Sequence, residues 1–230
     1  MSELMPGVFL VDGVGMSGRP GTVNVSLLVG HDGTATLVDA GFPGIAEKLQ
    51  ATLDEVGLLA TAVRRVIITH HHLDHTGGLP EVVAMTGAEV WAHADDADVI
   101  DGTQPRQAPP GAPHGSGRPA VTPAPVDLRL VGGEVLAVLG GCRILHTPGH
   151  TPGHISLYLP ELSLLIAGDV LRYENGAVTR APEMYTADAE TNEATLKELA
   201  KLEFERMLPY HGEYLGSAAS ARMRSELGLD

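Results

Sequence analysis

Thr69-His70-His71-His72-Leu73-Asp74-His75 packs four histidines and a carboxylate into seven residues, directly after the apolar run Val66-Ile67-Ile68. Folding alone does not ask for such a cluster, so it reads as a metal site. In an extended segment, residues two apart point to the same side, which lets His70 and His72 aim at one ion. Asp74 and His75, just past the turn, can reach the same ion or a second one. Zinc and iron take imidazole nitrogen and carboxylate oxygen, and a catalytic zinc keeps one position open for water. The competing reading is a solvated His-rich loop or a helix N-terminus. His71 alternates away from its neighbours and is expected to pack or hydrogen-bond instead.

Three isolated residues supply what such a site would still lack. His150 sits in Thr147-Pro148-Gly149-His150-Thr151-Pro152-Gly153, Asp169 follows Ile166-Ala167-Gly168, and His211 lies in Leu208-Pro209-Tyr210-His211-Gly212. Each is a ligand-type residue on a Gly- or Pro-marked turn after an apolar run, where loops on a rigid scaffold carry function. His146 and His154 flank His150 by four residues, but Pro148 and Pro152 prevent one helical face, so both are expected to be structural. His31, His93 and His114 are expected to be ordinary turn, surface or loop residues.

With these motifs in order, the chain resembles the metallo-β-lactamase superfamily from about Val8 to about Gly212. The HxHxDH motif stands as His70, His72, Asp74 and His75, followed by the Pro-Gly-His-Thr, Gly-Asp and Tyr-His-Gly elements. The resemblance implies that His70, His72 and His150 bind a first metal. Asp74, His75 and His211 would bind a second, with Asp169 bridging both. It also implies that Asp39, in Leu37-Val38-Asp39-Ala40-Gly41, orients a histidine ligand from behind; the residues alone allow a turn-capping Asp. Two divalent ions follow, zinc first, with iron or manganese as alternatives.

The implied fold is α/β (α+β), a four-layer αβ/βα sandwich of two mixed β-sheets flanked by helices. Periodicity fits it. Strands are expected at 8–11, 23–29, 34–38, 66–69, 89–92, 127–131, 135–139, 143–146, 155–159 and 164–167, and helices at 45–56, 79–85, 95–101, 190–202 and 217–227. Ile45, Leu49, Leu53 and Val56 fall on one helical face, and Gly57 offers a C-cap. One domain is expected over 1–230, interrupted by a Pro/Gly-rich insertion at about 102–125. A long loop inside a compact domain is functional or disordered; here the expectation is a surface insertion that shapes which substrates enter.

Composition narrows the function. A formal net charge of −14 argues against a phosphate-backbone partner, so no nucleic acid is expected. The first residues show no basic region followed by an apolar one, and no run approaches the ~18 apolar residues of a membrane span. The expectation is a soluble cytoplasmic protein with a small-molecule substrate and no membrane partner; a homodimer is left open. The single cysteine, Cys142, has no internal partner and reads as a buried strand thiol.

The chemistry implied is attack of a metal-bridging hydroxide on a carbonyl carbon, with the oxyanion stabilised by metal. Asp74 would orient the hydroxide and pass a proton to the leaving group. The bridging Asp169 resembles glyoxalase II and the lactonases, and the chain ends soon after His211. A shorter thioesterase or a lactonase acting on a small ester, thioester or lactone is therefore expected, with a β-lactamase-like side activity as an alternative. Tyr173, four residues past Asp169, is a candidate oxyanion or substrate contact, with a packed aromatic as the competing reading. Persulfide dioxygenases resemble the same pattern with one iron at His70, His150 and Asp169. A catalytically weak binding or regulatory member is the remaining alternative.

Overall fold

The computed structural model describes residues 2–15, 23–106 and 121–229. Its strands are β1 (Ser2–Met5), β2 (Val8–Leu10), β3 (Ser26–Val29), β4 (Ala35–Val38), β5 (Val63–Ile68), β6 (Glu89–His93) and β7 (Leu128–Leu130), which form one seven-stranded sheet in chain order. A second sheet runs β14-β11-β10-β9-β8, from β8 (Val135–Leu136), β9 (Cys142–His146), β10 (Ile155–Leu159), β11 (Leu164–Gly168) and β14 (Arg206–Pro209). A hairpin, β12 (Leu171–Glu174) with β13 (Ala177–Arg180), lies between β11 and β14 in the chain. The helices are α1 (Ile45–Val56), α2 (Leu73–Thr76), α3 (Leu79–Thr86), α4 (Ala94–Ile100), α5 (Ala189–Leu199) and α6 (Ala219–Leu227). None of the described helices is long and apolar enough to cross a membrane.

Both sheets are mixed. β1 to β4 pair antiparallel and β4 to β7 parallel, while β11 and β14 run parallel beside antiparallel β8 to β11. The layers can be read from single-residue alternation, because neighbouring strand residues point to opposite faces. Leu27, Leu37, Val66 and Ile68 pack with Ile45, Leu49 and Leu53 of α1 and with Leu79 and Val82 of α3. Leu28, Val38 and Ile67, one residue over, instead meet Ile144, Leu157, Leu164 and Ile166 between the sheets. Tyr158, Leu165 and Ala167 then turn outward to α5 and α6 through Leu196, Leu199, Met223 and Leu227. The four-layer sandwich therefore follows from strands apolar on both faces, where each fully buried leucine contributes about 1.5–3 kcal/mol.

α1 spans the residues its periodicity predicts, and Gly57 caps it in the left-handed conformation. Other boundaries differ from the sequence expectation. The strand expected over 23–29 begins only at Ser26, because Val23 bridges to His211 instead. β8 is two residues long, and the short α2 and the β12–β13 hairpin were not expected. Of the Pro/Gly-rich insertion, residues 107–120, His114 included, lie outside the described residues. Its flanks are tied down: Gln104 N donates to Asp98 O at 2.8 Å, and Ala124 N to Ile100 O at 3.3 Å.

Candidate metal centre

The ligand-type residues follow β4, β5, β9, β11 and β14, on loops and, for Asp74 and His75, on the short helix α2. The first loop leaves β5 at Thr69 and turns into α2, with His72 as the residue before the helix. In that extended stretch His70 Nε2 and His72 Nδ1 come within 3.0 Å. Asp74 and His75 are carried on α2, so a single turn of helix places them. Asp39 anchors the start of the loop: it accepts from Thr69 N at 2.8 Å and from Thr69 Oγ1, and its Oδ2 lies 3.0 Å from His75 Nδ1. This contact directs His75 Nε2 toward Asp169 Oδ1, 3.4 Å away. Asp39 has a φ of 64°, a left-handed conformation that aspartate tolerates better than most residues.

The second half of the chain closes the site. His150 Nε2 stands 3.1 Å from His72 Nδ1 and 3.5 Å from Asp169 Oδ2. Asp169 N donates to His154 Nε2 at 3.0 Å. Gly168 must precede it, because φ is +59° and a Cβ there would lie 2.6 Å from His154 Nε2. His211 Nε2 lies 3.0 Å from Asp74 Oδ2 and 3.4 Å from Asp169 Oδ2. Asn24 fixes this last loop by donating its amide to Pro209 O and Gly212 O at 2.8 and 3.0 Å.

Electrostatics divides these groups. Burial and the neighbouring imidazoles, His75 foremost, hold His70 well below the ordinary histidine range. Burial and His71 bring His72 down to about 4, and burial, with His72, holds His150 low despite Asp169. For His75 burial opposes the charge, but Asp39, Asp169 and Asp74 outweigh it and raise the group well above 6.5. Burial likewise opposes His211, and Asp169 and Asp74 lift it to about 9. Burial would raise Asp74 and Asp169, yet His75 and His211 overcome it, taking Asp74 to about 2 and Asp169 well below 3.8.

The donor set fits divalent metal. Three neutral imidazoles turn nitrogens toward one another at 3.0 and 3.1 Å, close to the ~3.3 Å spacing of ligands around a tetrahedral zinc. His75 Nε2 and Asp169 Oδ1 are buried with no hydrogen-bond partner among the described residues. Such atoms are costly unless a cation meets them. The groups His70/His72/His150, His70/His75/Asp169 and Asp74/His75/His211 each hold their ligand atoms within 4.8 Å of one another.

The structure thus brings together all seven expected ligands, and Asp39 lies behind His75. Tyr173 bridges its main chain to Gly212, next to His211, but its side chain turns to α6. Its hydroxyl bonds Arg222 Nη1 at 3.1 Å, its ring lies under that guanidinium, and it packs on the layer that includes α6, which matches the packed-aromatic reading. His71 faces away, with N and Nδ1 both 2.9 Å from Asp96 Oδ2. His154 supports Asp169, and His146 Nε2 meets Pro152 O at 2.9 Å. His93 departs from the expectation: it is buried and stacked on His146 at 3.9 Å and 13°. Rings that parallel cannot share an ion through their in-plane lone pairs. Cys142 is buried, and burial pushes its thiol up to about 12, so it is no nucleophile.

Two supporting residues carry no local sequence signal. Asp96 accepts from His71 N, from Thr151 Oγ1 at 2.8 Å and from Gly153 N at 2.8 Å, and meets His71 Nδ1 at 2.9 Å, tying both histidine loops to α4; despite burial, the His71 side chain first and then Thr151 and Gly153 take it to about 2. Tyr210 donates its hydroxyl to the main-chain oxygen of Asp74 and packs its ring against His75, with ring centres 3.6 Å apart and planes tilted by 32°.

The chain is similar to known proteins. Residues 18–211 match the family model described as the metallo-beta-lactamase superfamily. A hydroxyacylglutathione hydrolase of Cereibacter sphaeroides is 29% identical over 208 residues, covering 90% of this chain and 68% of its own length. Another, from Rhodospirillum rubrum, is 32% identical over 140 residues, which are 60% of this chain and 43% of that protein. This chain therefore spans less than half of the latter relative. A metallo-beta-lactamase family protein of Thermus thermophilus superposes with a TM-score of 0.74 at 28% identity, over 97% of this chain and 79% of that one. The MIM-2 metallo-beta-lactamase, at 21% identity and a TM-score of 0.69, shares the fold over 90% of this chain and 81% of its own. The family model matches most of the chain, and the chain belongs to the metallo-beta-lactamase superfamily.

Proposed function

We propose that the protein is a dinuclear metal-dependent hydrolase that cleaves small esters, thioesters or lactones, with thioesters foremost. The observation that carries this reading is the position of Asp169. Its carboxylate lies among histidines of both groups, with Oδ2 3.5 Å from His150 and 3.4 Å from His211, and Oδ1 3.4 Å from His75. His70, His72 and His150 would hold one ion, Asp74, His75 and His211 the other, and Asp169 both. Bound there, two divalent ions supply a water acidified toward neutral pH and an electrophile for the carbonyl oxygen. The hydroxyacylglutathione hydrolase relatives favour the thioester.

The chain's own groups supply orientation and proton handling. Asp39 fixes the tautomer of His75 by accepting a hydrogen bond from its Nδ1–H, which keeps Nε2 turned inward. His154 holds the Asp169 main chain in place. Asp74, with a side chain 23% exposed against 5% for Asp169, is the carboxylate open to an incoming substrate. It is placed to accept a proton and return it to the departing thiolate or alkoxide. No serine or cysteine nucleophile is required.

Elemental analysis of protein purified without added metal, paired with a thioester, lactone and ester panel, tests this. Near two equivalents of a divalent ion with thioester turnover is expected. One equivalent of iron with oxygen consumption on a persulfide substrate would overturn it.

A further inference from the structure

The turn that presents Asp169 is held by a relay of buried side chains. Asp169 N donates to His154 Nε2 at 3.0 Å, and His154 Nδ1 lies 2.8 Å from Thr147 Oγ1 and 3.1 Å from Thr147 O. Thr147 Oγ1 lies 3.0 Å from Ser156 Oγ, which donates to Ala167 O at 3.0 Å. His154, Thr147 and Ser156 are all buried. The relay begins at Asp169 and ends at Ala167, so it brackets Gly168, the glycine whose φ of +59° makes the turn. Tyr210 N donates to the remaining main-chain oxygen, that of Gly168, at 2.9 Å.

The direction of every bond in the relay is forced. A main-chain N–H only donates, so His154 Nε2 must offer its lone pair and a neutral ring must carry its proton on Nδ1. That proton goes to Thr147, whose two oxygens flank it. Ser156 gives its own proton to Ala167, so its oxygen accepts from the Thr147 hydroxyl. Both ring nitrogens of His154 are thus engaged, and it is not a metal ligand, although its ring centre lies 5.2 Å from that of His70 and 5.9 Å from that of His150.

We propose that His154 is the positioning residue of Asp169: as the Nδ1–H tautomer at the head of this relay, it fixes the Gly168 turn and so the way the carboxylate is shared between two ions. This rests on the dinuclear reading above and deepens it. Buried networks in which every member is satisfied hold one geometry, and groups behind metal ligands tune affinity through that geometry.

Two matched variants separate positioning from packing, because each loses one end of the His154 contact. In His154→Gln the amide oxygen can still take the Asp169 N–H, while Thr147 loses its partner. In His154→Asn the shorter side chain can still reach Thr147 but not Asp169. Competition between a chelator and the metal-free proteins for zinc is expected to show His154→Gln within about threefold of wild type and His154→Asn roughly ten- to a hundredfold weaker. Equal losses in the two variants would make His154 a packing residue and overturn the assignment. If wild type binds a single ion, the dinuclear reading fails, and the same comparison on that ion decides for His154. Nitrogen NMR of the metal-free wild type supplies a readout that needs neither metal nor turnover, and it decides if either variant fails to fold. A proton on Nδ1 of His154 alone is expected, and a proton on Nε2 overturns the proposal.

Discussion

The two halves of the metal centre are built differently. The position ringed by His70, His72 and His150 uses imidazoles that their surroundings keep neutral, and His70 and His150 are at most 1% exposed. The position ringed by Asp74, His75 and His211 mixes carboxylates with histidines that hold protons, and its Asp74 and His211 side chains are 23% and 19% exposed. A metal takes a neutral imidazole directly but must displace a proton from a charged one. On the proposed dinuclear reading the first position would be preformed and sealed, and the second would have to release protons, depend on residues behind it and open toward substrate.

Removing the shared group should break the comparison most severely. Asp169→Ala should lower metal content at both positions and reduce thioester turnover roughly a thousandfold or more; retention of a full equivalent with substantial turnover would show that one position suffices. Asp74→Ala touches only the open position. Turnover should fall about a hundredfold or more with little change in KM, as expected of a proton-transfer group, and unchanged turnover would remove Asp74 from the chemistry. Elemental analysis of the same variant should still find the first ion.

The contrast between the positions also explains what the sequence discloses. The ligands are legible because each follows an apolar run and stands on a turn marked by glycine or proline, and α1 is legible because four apolar residues share one face. Asp96 is not, since in sequence it is an ordinary acidic residue in the first turn of a helix. Its partners Thr151 and Gly153 are 55 and 57 residues away. Tyr210 meets Asp74 across 136 residues and Asn24 meets Pro209 across 185, so no local pattern announces either. α2 is too short for any periodicity. The β12–β13 hairpin did leave a signal: Asn175-Gly176, with φ of 53° and 76°, is a pair suited to a tight hairpin turn.

Because Tyr210 braces only the open position, Tyr210→Phe sharpens the comparison without emptying the site. The ring stays packed against His75 and only the hydroxyl bond to Asp74 is lost. Chelator competition should show the second ion bound roughly tenfold more weakly and the first unchanged, in line with the effect of groups behind metal ligands. Equal weakening of both would mean that Tyr210 supports the fold of the loops rather than one position.

The smallest expected effect is on the stability of the metal-free protein, and it has a definite sign. His211 is raised to about 9 when folded, so its contribution is complete below the unfolded value near 6.5 and is lost as pH rises through 9. Asp96 and Asp74, lowered to about 2, contribute above their ordinary value of 3.8, and that contribution disappears as pH falls toward 2. His72 and His154, at about 4, and the still lower His70 and His150 stay neutral where the unfolded chain takes up protons, so the melting temperature should already fall as pH drops below about 6.5; on the alkaline side it should decline by about 2–4 °C for each kcal/mol lost. With divalent metal bound, His211 gives up its proton to serve as a ligand, so the alkaline decline should vanish while the acid limb steepens as protons displace the ion. Melting curves of chelated and loaded protein between pH 6 and 10 separate the two, and parallel curves would mean that His211 carries no proton in the folded metal-free chain.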